Sequence, residues 1–304
     1  MQPASEALPT AAEQSPRYGE VFDRGYRHYD GPRLGRRHAR RALIGYSVKR
    51  AMGIKKSWTA KVIPMFLYIA VSIPVIVSIG IAGFLPSAEI LAYGEFFSFV
   101  FLLQGVFAAT IAPEMLSTDR HEKVLSLYFS RAITRLDYIL SKLTATALLM
   151  MTMSLVPAAI LWLGRQLLDD SPLSAMKNNL GDLGKLIVAG VLISLYIGSV
   201  SLMVSSFTSR KSIAVAVIII LFLVSTSLAF ALSTAVDASW DKYLVFLSPT
   251  NTVEGMSLTL FNQQGAVSEF DNNPFLPFWQ YAAAMLAVTA VSVGIMLWRY
   301  LPDE

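Results

Sequence analysis

Six long apolar runs dominate the sequence, and each has the length of a helix that crosses a bilayer. They cover residues of about 62–84, 96–112, 143–164, 186–207, 213–235 and 278–298. About 17 to 25 mostly apolar residues are needed to cross the hydrocarbon core as a helix. The pattern therefore predicts an all-α membrane protein whose six transmembrane helices occupy residues 62–299.

The composition agrees with this class and excludes functions that depend on cysteine. Of the 304 residues, 54% are hydrophobic and 15% are charged, against about 25% charged in an ordinary soluble domain. The chain has no cysteine. Disulfides and thiolate-based metal, redox or nucleophilic chemistry are therefore excluded.

The residues before the first run divide into a polar tail and a basic segment. Residues 1–20 are rich in Ala, Pro, Ser, Gln and Glu, which predicts a disordered tail. Residues 21–61 predict a loop followed by a basic amphipathic helix, with Ile44, Val48 and Ala51 on one face. Such a helix is typical of an elbow that lies on the membrane with its cations toward anionic headgroups. Nucleic-acid binding is disfavoured, because a span follows at once and no nucleic-acid motif is present.

The distribution of Lys and Arg predicts the orientation. With the N-terminus inside, 21 of the 25 Lys and Arg lie on the inner side and four on the outer side. Positive residues concentrate on the cytoplasmic side of membrane proteins. We therefore expect both termini to be cytosolic and the basic pI to reflect topology.

No motif for catalysis, nucleotide binding or metal binding is found. The six runs contain no ionisable side chain, whereas ion-coupled pumps typically need such groups at membrane depth. A phosphate-binding loop is absent, since Gly184-Lys185 is followed by Leu186 and not by Ser or Thr. The three histidines are scattered. We therefore predict no catalytic residue, no metal site and no cofactor in this chain.

The segment Pro113–Lys142, called the connector below, is a charged island between the second and third runs. It predicts two short helices. Asp119 would cap the first, with Glu122 three residues on, and Thr134 would cap the second, with Asp137 at its third position. Two interpretations remain from these residues alone: a docking surface, or an amphipathic segment lying on the membrane.

The sequence resembles the permease of an ABC type-2 transporter over about residues 20–300. The architecture carries part of the match: a basic elbow, six spans with both ends inside, a long charged connector, and a short inner loop at residues 208–212. The connector text carries the rest, with Ala112-Pro113-Glu114-Met115-Leu116, then Asp119-Arg120-x-Glu122, then Tyr128-x-Ser130-Arg131-Ala132-x-x-Arg135-x-Asp137-Tyr138.

The resemblance implies a division of labour between subunits. A coupling helix at about Arg120–Ser130 would insert into a separate ABC ATPase, which would bind ATP and Mg²⁺. Arg210 and Lys211 would make a second, lesser contact. The implied contact residues in the connector are Arg120, His121, Glu122, Lys123, Val124, Leu125, Tyr128, Phe129 and Arg131. The permease would form a homodimer or heterodimer with two ATPases in the plasma membrane.

The outer segment 236–277 resembles the pair of short re-entrant helices that this family places over the exit of the transport path, although an ordinary folded loop is the alternative. An uncharged bundle with many aromatic residues favours export of a lipid, a drug or another amphipathic compound. Met150, Met151 and Met153 raise a soft-metal role, but neighbouring positions on a helix face different ways. Two other function classes remain: an ion-coupled secondary transporter, and a non-transporting membrane anchor or assembly factor, for example in copper-enzyme maturation.

Overall fold

The computed structural model describes residues 31, 34–54, 56–85, 91–129, 133–235, 241–263 and 276–300. Within these ranges the chain is helical and has no strand. The predicted tail at residues 1–20 and the contact residue Arg131 lie outside the described residues.

The six predicted transmembrane helices are confirmed, and each is longer than its apolar run. They are α2 (Thr59–Phe84), α3 (Tyr93–Met115), α6 (Arg135–Leu167), α8 (Leu180–Phe207), α9 (Lys211–Ala235) and α11 (Phe278–Tyr300). Helix α6 begins eight residues before the predicted span, which adds about 12 Å of helix at 1.5 Å per residue. The added turns carry charged residues, so the apolar runs alone underestimate the helices.

Shorter helices occupy the connections. They are α1 (Gly35–Ala51), α4 (Ser117–His121), α5 (Leu125–Phe129), α7 (Pro172–Asn178), α10 (Pro249–Leu260) and a 3-10 helix at Asp241–Leu247. Helix α1 is the basic segment. Its fully buried residues are Leu43 and Ser47, and Ile44, Val48 and Ala51 pack against the core beside them. The predicted apolar face of α1 is therefore the face that packs on the bundle.

Helices α3, α6 and α8 form the centre of the bundle. The most apolar stretches of these helices are 67%, 50% and 61% buried, against 28%, 17% and 22% in α2, α9 and α11. Small residues allow the central helices to approach closely, as in membrane bundles generally. For example, a Cβ built on Gly190 of α8 would lie 2.3 Å from a methyl group of Leu155 on α6.

A buried amide joins the three central helices. Gln104 of α3 donates to the carbonyl of Met150 on α6 at 2.9 Å and to Ser194 Oγ on α8 at 3.2 Å. Ser154 Oγ of α6 lies 3.3 Å from the same Ser194 oxygen. Without water at this depth, polar groups must find partners inside the protein, so these contacts fix how α3, α6 and α8 meet.

The segment after α9 folds back against the bundle. Ser248 caps α10 by accepting a hydrogen bond from the backbone N–H of Asn251 at 3.2 Å, and Pro249 occupies the first helical position, where its missing N–H costs nothing. Helix α10 thus lies within the outer segment 236–277. Its buried residues include Val253 and Met256, and it packs on α3 and α11.

The contact between α10 and α11 depends on one glycine. A Cβ on Gly255 would lie 2.4 to 2.6 Å from the ring carbons and hydroxyl of the buried Tyr281. We expect Gly255→Ala to destabilise the protein by about 1–3 kcal/mol through overpacking. Thermal unfolding of the purified protein in detergent measures this change. Gly294→Ala, in open space on α11, is the matched control and should be neutral or slightly stabilising. Equal melting temperatures for the two variants would contradict the packing described here.

Candidate functional site

One end of the bundle, called the basic end below, gathers α1, the connector, the α8–α9 junction and the end of α11. Asp119 of α4 is at its centre and is fully buried. The predicted capping role of Asp119 is wrong, because α4 begins earlier, with Leu116 as its N-cap. The carboxylate lies inside the protein, where an unpaired charge would be very unfavourable.

Three side chains from two other helices satisfy the Asp119 carboxylate. Arg50 of α1 donates to Oδ1 at 2.8 Å, Tyr138 of α6 donates its hydroxyl to Oδ2 at 2.9 Å, and Lys142 Nζ lies 2.7 Å from Oδ2. The Lys142 side chain is only 1% exposed. The opposite charges compensate the hydration that each group loses on burial. This cluster therefore holds α1, α4 and α6 together.

Arg50 extends the cluster to two further acids. Its guanidinium lies 2.8 Å from Glu122 and 3.4 Å from Glu114. Burial acts against the charge of Arg50, but the neighbouring Asp119 and Glu122 outweigh it, so the pKa of Arg50 is raised above its ordinary value. This arginine is therefore permanently charged and holds three carboxylates from α3 and the connector.

Glu114 connects the same cluster to the start of α9. It accepts from Lys211 at 2.8 Å and pairs with Lys56 in the segment between α1 and α2. Lys211 was predicted as a contact to the ATPase. Its side chain is about half exposed, and its ammonium also joins α9 to the end of α3.

A second set of ion pairs holds α1 to the beginning of α6. Thr134 and Asp137 form the predicted capping box, which is confirmed: the Thr134 side chain accepts from the Asp137 N–H, and Asp137 accepts from the Thr134 N–H. Arg36 donates to Asp137 at 2.5 Å and to Thr134 Oγ1 at 3.2 Å. The hydrogen bond to Asp137 raises the pKa of Arg36. The capped end of α6 is thus also an attachment point for α1.

The C-terminal end of α8 is covered by two arginines. Arg120 of α4 and Arg299 of α11 both donate to the carbonyl of Ser206, the latter at 2.8 Å. Ser117 Oγ donates to the neighbouring Ser205 carbonyl at 3.1 Å. Cations are favourable at a helix C-terminus. Arg120 is therefore partly buried in the bundle end.

The connector bends between α4 and α5. The resemblance implied one helix at about Arg120–Ser130, whereas the structure has two short helices separated by Glu122–Val124. Lys123 has φ +54, in the left-handed region that ends a helix, and the Val124 N–H donates back to the Asp119 carbonyl at 3.2 Å. This bend makes Lys123 the turning point of the connector.

The predicted contact residues therefore occupy different environments. His121, Glu122, Lys123 and Arg210 are exposed, and Val124, Leu125, Tyr128 and Phe129 are half-buried. The rings of Tyr128 and Phe129 lie 5.8 and 5.9 Å from the Tyr138 ring. Burial, with the nearby Asp119 charge, raises the pKa of Tyr128 to about 12, so this phenol is neutral at physiological pH. Residues of α5 thus have an inner aromatic side and an outer side that includes Leu127, which is 65% exposed.

Sequence reasoning missed the internal half of this site. It placed Arg50 among membrane-facing cations, yet Arg50 follows the buried Leu43 and Ser47 by seven and three residues and so lies on the packed face of α1. Lys142 directly precedes a long apolar run, which was a signal for burial. Within the described residues no group of three or more His, Cys, Asp and Glu is placed to hold a metal ion, and the acids here are paired with cations.

A comparison with known families matches residues 54–304 to the family described as ABC-2 family transporter protein. The chain belongs to the ABC-2 transporter family. The permease is a multi-pass membrane protein and the transmembrane subunit of an ABC transporter, a type of subunit that pairs with an ATPase subunit and is generally not catalytic itself. A comparison with curated proteins finds no match.

The buried cluster predicts that substitutions of Asp119 and Lys142 have strongly coupled effects on the stability of the permease. Asp119→Leu leaves the buried Lys142 ammonium without its carboxylate, so we expect a loss of about 3–5 kcal/mol in the free energy of unfolding. Adding Lys142→Met removes the unpaired charge and should restore part of that loss. Thermal or denaturant unfolding of the single and double variants measures the coupling.

The matched control is the partly exposed pair of Lys185 and Asp182, whose side chains are 37% and 34% exposed. Asp182→Leu should change stability by at most about 1 kcal/mol, as for other solvated pairs. A similar loss at Asp182 and Asp119, or no recovery in the double variant, would be inconsistent with a buried charge cluster.

Proposed function

We propose that the permease exports a lipid, a drug or another amphipathic compound, driven by a separate ATPase that docks on the connector. ATP and Mg²⁺ are bound by that ATPase. The permease supplies the path through the membrane and the surface that receives the mechanical work.

The observation that carries this proposal is the two-sided construction of the connector. On its inner side, Asp119 is bound to α1 and α6, and Arg120 to the end of α8. On its outer side, His121, Lys123 and Leu127 are exposed. A force applied to the outer side is therefore passed to several helices at once through short, charged contacts. A segment that only rested on the membrane would have no need of these contacts.

The polarity of the bundle supports the proposed substrate class. The buried polar groups at the centre of α3, α6 and α8 are amide and hydroxyl groups, such as Gln104 and Ser194. These groups supply hydrogen bonds without a fixed charge, which favours a substrate that is largely apolar. Met150 and Met153 are fully buried in the core and Met151 is partly exposed, an arrangement that fits packing rather than a soft-metal path.

Two permeases and two ATPases form the complex that we propose. The second permease, identical or related, would pack on one of the less buried helices α2, α9 and α11, whose most apolar stretches are only 28%, 17% and 22% buried in one protomer. The remaining surface of these helices is in contact with lipid.

In this proposal the basic end lies on the cytosolic side of the plasma membrane. Cysteine labelling tests this orientation directly. Because the chain has no cysteine, single cysteines report on their own position. Lys123→Cys should react with a membrane-impermeant maleimide only after the cells are opened. Leu173→Cys on α7, 77% exposed, should react in intact cells. The reverse labelling pattern would overturn the orientation.

Docking is tested by charge placed on the outer side of α5. We expect Leu127→Asp to reduce co-purification of the ATPase at least about tenfold, because a carboxylate would then have to be desolvated in the interface. The ATPase used is the one recovered with the wild-type permease. Substrate-stimulated ATP hydrolysis in lipid should fall in parallel, while the melting temperature of the permease alone stays unchanged.

Leu173→Asp is the matched control, since it introduces the same change on an exposed residue outside the basic end. It should leave ATPase binding intact. Equal binding by the wild type and Leu127→Asp would exclude this docking surface. A permease that purifies alone and transports with an ion gradient would exclude the ATP-driven reading and support the secondary transporter.

A further inference from the structure

The beginning of α10 lies beside the middle of α9. Thr226 is the sixteenth of the 25 residues of α9. Its hydroxyl oxygen lies 3.2 Å from Thr250 Oγ1 and accepts a hydrogen bond from Ser248 Oγ at 3.1 Å. Nine residues of α9 follow Thr226, so this contact is about 13 Å from the end of the helix, at 1.5 Å per residue. The polar start of α10 is therefore placed at the depth of a span.

The other end of α10 lies beside the start of α3. The ring of Phe261, which directly follows α10, is 5.5 Å from the ring of Tyr93. The Gly94 N–H donates to Gln263 Oε1 at 2.8 Å. Helix α10 thus runs from the middle of α9 towards the end of the bundle that is opposite the basic end.

The start of α10 carries an amide whose hydrogen bonds are not used by the described residues. Asn251 is 8% exposed, and its amide nitrogen has no hydrogen-bond partner among them. Side chains on a helix tilt toward its N-terminus, so the amide at the third position of α10 is directed back toward Ser248 and Thr250. Burial of an unpaired donor is unfavourable. Such a donor therefore indicates a polar group that binds here from outside the chain.

The four residues Thr226, Ser248, Thr250 and Asn251, called the polar cluster below, are uncharged and reachable from one side. Thr226 and Thr250 are only half-buried. Leu223, one turn before Thr226, is 60% exposed, so apolar surface adjoins the cluster. The positive end of the α10 dipole favours acceptor oxygens at this position. The cluster thus combines neutral donors with an accessible apolar helix.

We propose that the polar cluster binds the uncharged headgroup of an amphipathic substrate, through hydroxyl or ester oxygens such as those of an acylglycerol. Asn251 and Thr250 donate to these oxygens, and the alkyl chains lie along the apolar side chains of α9. The inference rests on the proposed function, because it assigns the headgroup of the exported compound. Binding itself needs no ATPase, so a failure of ATPase docking would leave this site testable on the permease alone.

The test uses the full-length permease in phosphatidylcholine nanodiscs, with a diazirine-labelled dioctanoylglycerol as the probe. Crosslinked peptides are identified by mass spectrometry, and unlabelled dioctanoylglycerol, dioctanoyl phosphatidate and hexadecane are the competitors. We expect saturable crosslinking to α9 and α10, which phosphatidate and hexadecane suppress at least about tenfold more weakly than dioctanoylglycerol. Unsaturable crosslinking, or equal suppression by hexadecane, would reduce the contact to apolar partitioning. Equal or stronger suppression by phosphatidate would overturn the neutral headgroup.

Two variants that remove hydrogen-bonding groups at nearly constant shape locate the site. Asn251→Leu and Thr250→Val should each weaken probe binding about three- to tenfold, the usual effect of losing one neutral hydrogen bond. Thr234→Val is the matched control, because Thr234 is an exposed residue of α9 whose hydroxyl donates to carbonyls of its own helix. Its loss should change probe binding less than about twofold.

The Asn251→Leu variant also separates binding from packing. Removing a buried amide that has no partner should leave the melting temperature unchanged or raised, while probe binding falls. Thr250→Val remains informative if Asn251→Leu proves unstable. Wild-type affinity in both variants would refute the site. Dissociation of a permease dimer by Asn251→Leu, measured by light scattering, would also refute it, since the amide would then pair with the second permease.

Discussion

The basic end depends on one constraint: charges that are buried at the ends of transmembrane helices must neutralise one another. Asp119 and Lys142 are almost completely inaccessible to water, and removing an ion from water without a partner costs many kcal/mol. The pair is stable only while α1 brings Arg50 and α6 brings Tyr138 to the same carboxylate. Three helices, α1, α4 and α6, are therefore positioned by the requirement to compensate a few charges.

This constraint holds distant parts of the chain together at this end. Arg50 and Asp119 are 69 residues apart, and Lys211 and Glu114 are 97 residues apart. An apolar contact tolerates sliding, because it has no preferred direction. A short ion pair between buried groups does not, since a small separation exposes unpaired charge. The ion pairs therefore fix the register of the helix ends more strictly than the apolar contacts between the spans do.

The sequence was sufficient for the spans because their signal is local. The six apolar runs, the Thr134 capping box and the apolar face of α1 each involve residues within one helix, and all three appear in the structure. The contacts between residues of different helices could not be predicted from the sequence. Asp119 looked like an N-cap because its neighbour pattern fits a capping box, whereas its partners Arg50 and Lys142 come from other helices. The break at Lys123 was also missed, since lysine gives no signal for a left-handed backbone.

That left-handed lysine has a consequence for the tip of the connector. A residue with a side chain in this conformation costs about 1–2 kcal/mol that glycine would avoid. Glycine, however, would leave the outermost point of the turn without a side chain. With Lys123 there, the bend between α4 and α5 also carries an exposed ammonium on four methylene groups. The turn between the two short helices thus also places a long, flexible cation at the surface, where its positive charge attracts acidic groups.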